Sequence, residues 1–62
     1  MKRKYKVVIT EDDVTGYKEV IIYDGGPVKM TRTNNIRMRP EDRVRWYEGV
    51  FKDFEFFYGK LH

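Results

Sequence analysis

The hydrophobic period changes at Pro40, and that change limits the fold more than any other feature of the chain. Before it, runs of β-branched and aromatic residues and short alternating stretches read as strands. "YKVVITE" (5–11) and "YKEVIIYD" (17–24) are rich in Val, Ile and Tyr, which suit a pleated surface. Between them "DDVTG" supplies short polar residues and Gly16, so the two runs read as an antiparallel hairpin with a loop longer than two residues. "DGGP" (24–27) is a turn. "VKMTRT" (28–33) alternates until Arg32, Asn34-Asn35 can supply a tight turn, and "IRMR" (36–39) resumes the alternation. Ile36 and Met38 are expected to face the core, with Arg37 and Arg39 pointing away.

After Pro40 the period is helical. Proline suits the first helical position because its missing N–H would have no partner there, and Glu41 and Asp42 complement the positive end of the helix dipole. At 100° per residue, Val44, Trp46, Tyr47, Val50, Phe51, Phe54, Phe57 and Tyr58 fall on one half of the wheel. Arg45, Glu48, Lys52, Asp53 and Glu55 fall on the other, with Arg43 and Phe56 as exceptions. Glu48 and Lys52 form an i, i+4 pair, and Gly59 can end the helix. The expected fold is α+β: a four-stranded antiparallel sheet followed by one C-terminal amphipathic helix, ββββα, in a single domain spanning residues 1–62.

With 62 residues and no cysteine, the chain has neither a large core nor a disulfide or thiolate metal site to stabilise it. Ten aromatic residues supply large side chains for burial, yet one subunit has little room to offset its folding entropy. An oligomer, dimer or tetramer, is therefore expected. The wide aromatic half of the helix exceeds what one small sheet can cover, so Trp46, Tyr47, Val50, Phe54 and Phe57 are the expected subunit contacts. Strand two has apolar groups on both faces, Tyr17, Ile21 and Tyr23 against Val20 and Ile22. One face should meet the helix and leave the other for a second subunit or a ligand. No run approaches the roughly 20 apolar residues of a membrane span, and the basic start lacks a signal peptide's apolar stretch; a cytoplasmic protein is expected.

The net charge of +3 is unevenly distributed. Residues 1–10 carry +4, 11–24 carry −4, 25–47 carry +4 and 48–62 carry −1. A single nucleic-acid strand needs cations along its backbone and π-faces for its bases. Lys4, Lys6, Lys29, Arg37 and Arg39 are the candidate cations, and Tyr17 and Tyr23 the candidate stacking surfaces. Whether tyrosines and lysines share a face depends on the hairpin register, which alternation alone leaves open. The plainer reading is that the tyrosines cover the core and the cations are solvated. His62, the lone histidine, reads as a solvated end.

For catalysis, only "TEDDVTG" has relevant chemistry. Asp12 and Asp13, with Glu11, are weak candidates for holding Mg²⁺ in a DNA-nicking site; a solvated acidic loop is the alternative. Neither a His/Ser/Asp set nor a phosphate-cradling glycine loop is present, so no catalytic residue, metal or cofactor is assigned.

The strand-to-helix stretch "NIRMRPED" resembles the most recognisable segment of the positive cofactor four family of single-stranded-DNA-binding coactivators, roughly Gly-Ile-Ser-Leu-x-Pro-Glu-Gln. Ile36 and Met38 stand at the apolar positions, Pro40 and Glu41 at the helix start, and Asp42 at the amide. Asn35 stands where the family has glycine, and Arg43 where it has tryptophan, with Trp46 three places later. The resemblance implies a homodimer packed through its helices, with DNA along curved sheets. It also implies a phage or mobile-element setting, since small phage anti-CRISPR proteins are built on this fold. Two functions follow as expectations. One is binding of single-stranded or distorted DNA through a basic sheet face. The other is anti-CRISPR or other host-nuclease inhibition, by protein binding or by metal-dependent nicking of supercoiled DNA.

Overall fold

The computed structural model describes residues 4–59 and is α+β. Three strands, β1 (Tyr5–Asp12), β2 (Tyr17–Asp24) and β3 (Val28–Asn34), precede one helix, α1 (Pro40–Tyr58). The sheet is antiparallel in the order β1-β2-β3, so β1 and β3 are its edges. His62 lies outside the described residues. Among the described residues no helix is long and apolar enough to cross a membrane.

The β1–β2 register runs unbroken from Tyr5 opposite Asp24 to Asp12 opposite Tyr17. Residues directly opposite share a face, so Val7 and Ile9 lie with Val20 and Ile22, whereas Lys6 and Val8 lie with Ile21 and Tyr23. The β2–β3 register shifts once, between Ile22 and Tyr23, and Met30 opposite Ile22 joins the first face. That face carries the core. Val20, Ile22 and Met30 are buried beneath Val50 and Phe54 of α1, with Tyr5, Trp46, Tyr47 and Phe51 packed around them. The Tyr5 ring meets Phe54 edge-on at 5.1 Å. A fully buried side chain of this size contributes about 1.5–3 kcal/mol, so five buried residues, of which Val20, Ile22 and Phe54 are fully buried, form a small core.

The expected fourth strand does not form. Residues 35–39 carry no strand pairing and cross from the end of β3 to the start of α1. Two side chains take the backbone groups that a ladder would need. The Asn34 Oδ1 accepts from the Ile36 N–H at 2.5 Å, and the Lys18 ammonium donates to the Ile36 carbonyl at 2.6 Å. Ile36, expected in the core, is 60% exposed, while Met38 is half-buried.

The crossover passes tightly beside the β1–β2 loop. Lys18, only 3% exposed, also donates to the Gly16 carbonyl at 2.7 Å, so one ammonium joins hairpin and crossover. Gly16 has φ +79°, and a Cβ placed there would lie 2.9 Å from both the Arg37 backbone nitrogen and its Cγ. Within the loop, the Asp12 carboxylate accepts from the Val14 and Thr15 N–H groups at 2.9 and 3.4 Å. The helix begins at Pro40 as the sequence predicts. It ends at Gly59, whose N–H donates to the Glu55 carbonyl at 2.9 Å.

Two glycines should therefore respond oppositely to alanine. Gly16→Ala combines a left-handed backbone, about 1–2 kcal/mol for an L-residue, with a steric clash, so urea unfolding should show a loss of at least about 2 kcal/mol. Gly49, in α1 with open space around it, should gain up to about 1 kcal/mol as alanine.

Candidate nucleic-acid interface

The open face of the sheet separates its charges by end. At one end Lys6 of β1 stands directly opposite Tyr23 of β2. Lys4, Tyr5, Lys6, Val8 and Tyr23 line a recess of about 590 Å³ closed by Gly25 and Gly26 of the β2–β3 turn. This turn is held by the Asp24 N–H donating to the Pro27 carbonyl at 2.9 Å and the Gly25 N–H donating to the Lys4 carbonyl at 3.2 Å. Two glycines leave that wall without side chains. Lys4 and Lys6 are exposed and Tyr23 and Val8 are half-buried, so the recess combines exposed cations with an aromatic ring and an aliphatic side chain.

At the other end of the same face Tyr17 lies next to Glu19 and opposite Asp12. The Tyr17 hydroxyl donates to the Glu19 carboxylate at 2.8 Å; this bond, with burial and the negative charge, raises its pKa. Its surroundings are acidic, which sets it apart from Tyr23.

The remaining candidate cations lie elsewhere. Lys29 is the extra residue where the β2–β3 register shifts, and its ammonium sits 4.8 Å from the centre of the Tyr58 ring at the end of α1. Arg37 donates to the Val14 carbonyl and thereby clamps the crossover to the hairpin loop. Arg39 is exposed in the residue before the helix. The five cations thus form no single patch; Lys4 and Lys6 alone join a candidate tyrosine.

Of the expected subunit contacts, Val50 and Phe54 are buried in the chain's own core, Trp46 and Tyr47 are half-buried against it, and Phe57 is 64% exposed. Arg43, the exception on the helix wheel, pairs within the chain, its guanidinium 3.7 Å from the Glu11 carboxylate.

The acidic loop is occupied by structural bonds. Asp12 holds the loop backbone, and Glu11 accepts from the Tyr47 hydroxyl and faces Arg43. A recess of about 210 Å³ here is lined by Glu11, Asp12 and Asp13 together with Lys18, Arg37 and Arg43, a set of balanced charge. Among the described residues no group of three or more His, Cys, Asp or Glu side chains is arranged to hold a metal ion. Alternation and charge counting did not identify Lys18, Gly25 and Gly26 as framing residues; "DGGP" is legible as a turn, but its place beside Lys4 and Lys6 comes from the hairpin register.

Burial, and then the bond to Glu11 and its charge, push the Tyr47 phenol up to about 12, with Arg43 pulling the other way. The fold favours the neutral phenol, so this contribution to stability is complete below the ordinary tyrosine pKa of about 10 and is lost as pH rises toward 12. In an ultraviolet phenolate titration, one of the five tyrosines should ionise near pH 12. Glu11→Gln should lower it part of the way to 10, leaving the contribution from burial. Ionisation of all five together near 10 would contradict the Glu11–Tyr47 contact.

No protein-family model, curated protein or solved structure matches this chain.

Proposed function

We propose that this protein binds single-stranded nucleic acid at the Lys4–Lys6–Tyr23 end of its open sheet face. The observation that carries this reading is the cross-strand placement of Lys6 directly opposite Tyr23, beside Lys4 and a wall of two glycines. Such a site presents cations to phosphates and an aromatic face to a base, the two interactions that hold single strands without sequence readout. Its bare glycine wall lets a backbone approach closely. A flexible single strand can bend into so short a recess, whereas a duplex would meet the acidic end of the same face, with Glu19 and Asp12. With no base-reading group in the recess, affinity depends mainly on phosphate contacts and stacking.

Fluorescence anisotropy of a labelled oligothymidylate, titrated at several salt concentrations, tests this. Two lysines per chain predict a slope of log affinity against log salt of about −1.4 per chain. Lys6→Glu should abolish measurable binding at moderate salt. Tyr23→Ala should cost about 1–3 kcal/mol of binding while Tyr23→Phe, which keeps the ring, should bind as the parent does. Affinity independent of salt, or unchanged in both Lys6→Glu and Tyr23→Ala, would contradict the assignment.

A further inference from the structure

The two edges of the sheet are guarded very differently. β3 follows Pro27, contains the register shift at Ile22/Tyr23 and carries Lys29 and Arg32, all of which discourage a further strand from pairing. β1 has no such device between Lys6 and Glu11, where Val7, Val8, Ile9 and Thr10 form an uncharged run. Its helix-facing side chains are also poorly covered, with Val7 39% and Ile9 47% exposed although both lie on the core face.

The backbone directions on β1 follow from its bonds. The carbonyls of Lys4 and Asp12 both point toward β2, accepting from the N–H groups of Gly25 and Gly16. The pairing between these points has no bulge, so even-numbered residues bond to β2 and Val7, Ile9 and Glu11 direct their N–H and C=O groups to the outer edge.

We propose that the chain forms a two-fold homodimer by antiparallel pairing of β1 with β1 of a second copy, centred on Val8, which joins two sheets into one of six strands. In this register Val7 of each copy exchanges backbone hydrogen bonds with Ile9 of the other, and the four exposed apolar side chains cover one another. Lys4 of each copy comes opposite Asp12 of the other, so both ends of the interface pair opposite charges. Centring on Val7 removes the Lys4–Asp12 match, and centring on Ile9 sets Val7 against Glu11. The Val8 register alone among these pairs apolar with apolar and basic with acidic. Lys6 lies opposite Thr10 and keeps its charge for the recess, and both recesses open on the same side of the joined sheet. The interface shares Lys4 and Val8 with the recess, but it is read from mass and cross-linking without any nucleic acid, so its failure and the failure of the nucleic-acid reading are distinguishable.

The test uses the absence of cysteine from the chain. Across the two-fold axis the Val8 residues form a non-hydrogen-bonded pair with Cα atoms about 4.5 Å apart, within the range a disulfide spans. The two Thr10 residues would be separated by four positions, roughly 13 Å along the strand. Wild-type protein should sediment at twice 7.6 kDa. Val8→Cys should oxidise to a covalent dimer under mild conditions while Thr10→Cys stays unlinked. Ile9→Lys, at a position already half exposed, should halve the mass with the far-ultraviolet circular dichroism unchanged. A monomeric wild type, a dimeric Ile9→Lys, equal linking of Val8→Cys and Thr10→Cys, or linking through Phe57→Cys in place of Val8→Cys would each overturn the proposal.

Discussion

One buried ammonium, that of Lys18, fixes the relation between sheet and helix. It replaces water with two carbonyl oxygens, one from the hairpin loop at Gly16 and one from the crossover at Ile36. A buried cation is costly unless hydrogen-bonded, and charge-assisted bonds to carbonyls are among the stronger ones available. The crossover is therefore held at the end of the sheet instead of pairing along it. Arg37 reinforces the same join by donating to the Val14 carbonyl, and Gly16 allows the backbones to approach. From that anchor α1 runs over one face, with the Tyr47–Glu11 contact near its start and the Tyr5–Phe54 contact further along.

The consequence is an uneven molecule. The helix covers the Val20, Ile22 and Met30 face, and among the described residues no element covers the other. Without a fourth strand, β1 and β3 are both edges; β3 is broken by a register shift and by charges, whereas β1 is uncharged from Val7 to Thr10. The open face holds its cations at the β2–β3 turn and its carboxylates at the hairpin loop. This polarity makes one end of the face suited to phosphate. It also makes the two ends complementary to each other when copies meet antiparallel.

Much of this was legible in the sequence, for identifiable reasons. Runs rich in Val, Ile and Tyr mark β1 and β2, period-two alternation marks β3, and the helical period with Pro40 and Gly59 marks α1. The two apolar faces of β2 were equally visible. The fourth strand was misread because alternation at Ile36 and Met38 reports side-chain spacing, not the fate of the backbone, and Lys18 and Asn34 claim that backbone. Lys18 itself reads on paper as a solvated counter-charge within an acidic segment. The pairing of Lys6 with Tyr23 depends on hairpin register, which the loop bonds of Asp12 help define. Counting cations also gave Arg37 the same weight as Lys6, although the fold commits one to a carbonyl and leaves the other at the recess.

The central claim is that one face of the sheet builds the core and the basic end of the other receives a single strand. Backbone amide chemical shifts, followed by nuclear magnetic resonance as a short oligothymidylate is added, test it most directly. Shifts concentrated at Lys4, Lys6, Val8, Tyr23, Gly25 and Gly26, with α1 and the Arg37–Arg39 segment quiet, are the result predicted. Shifts centred on the helix or on the crossover, with the recess unchanged, would contradict it.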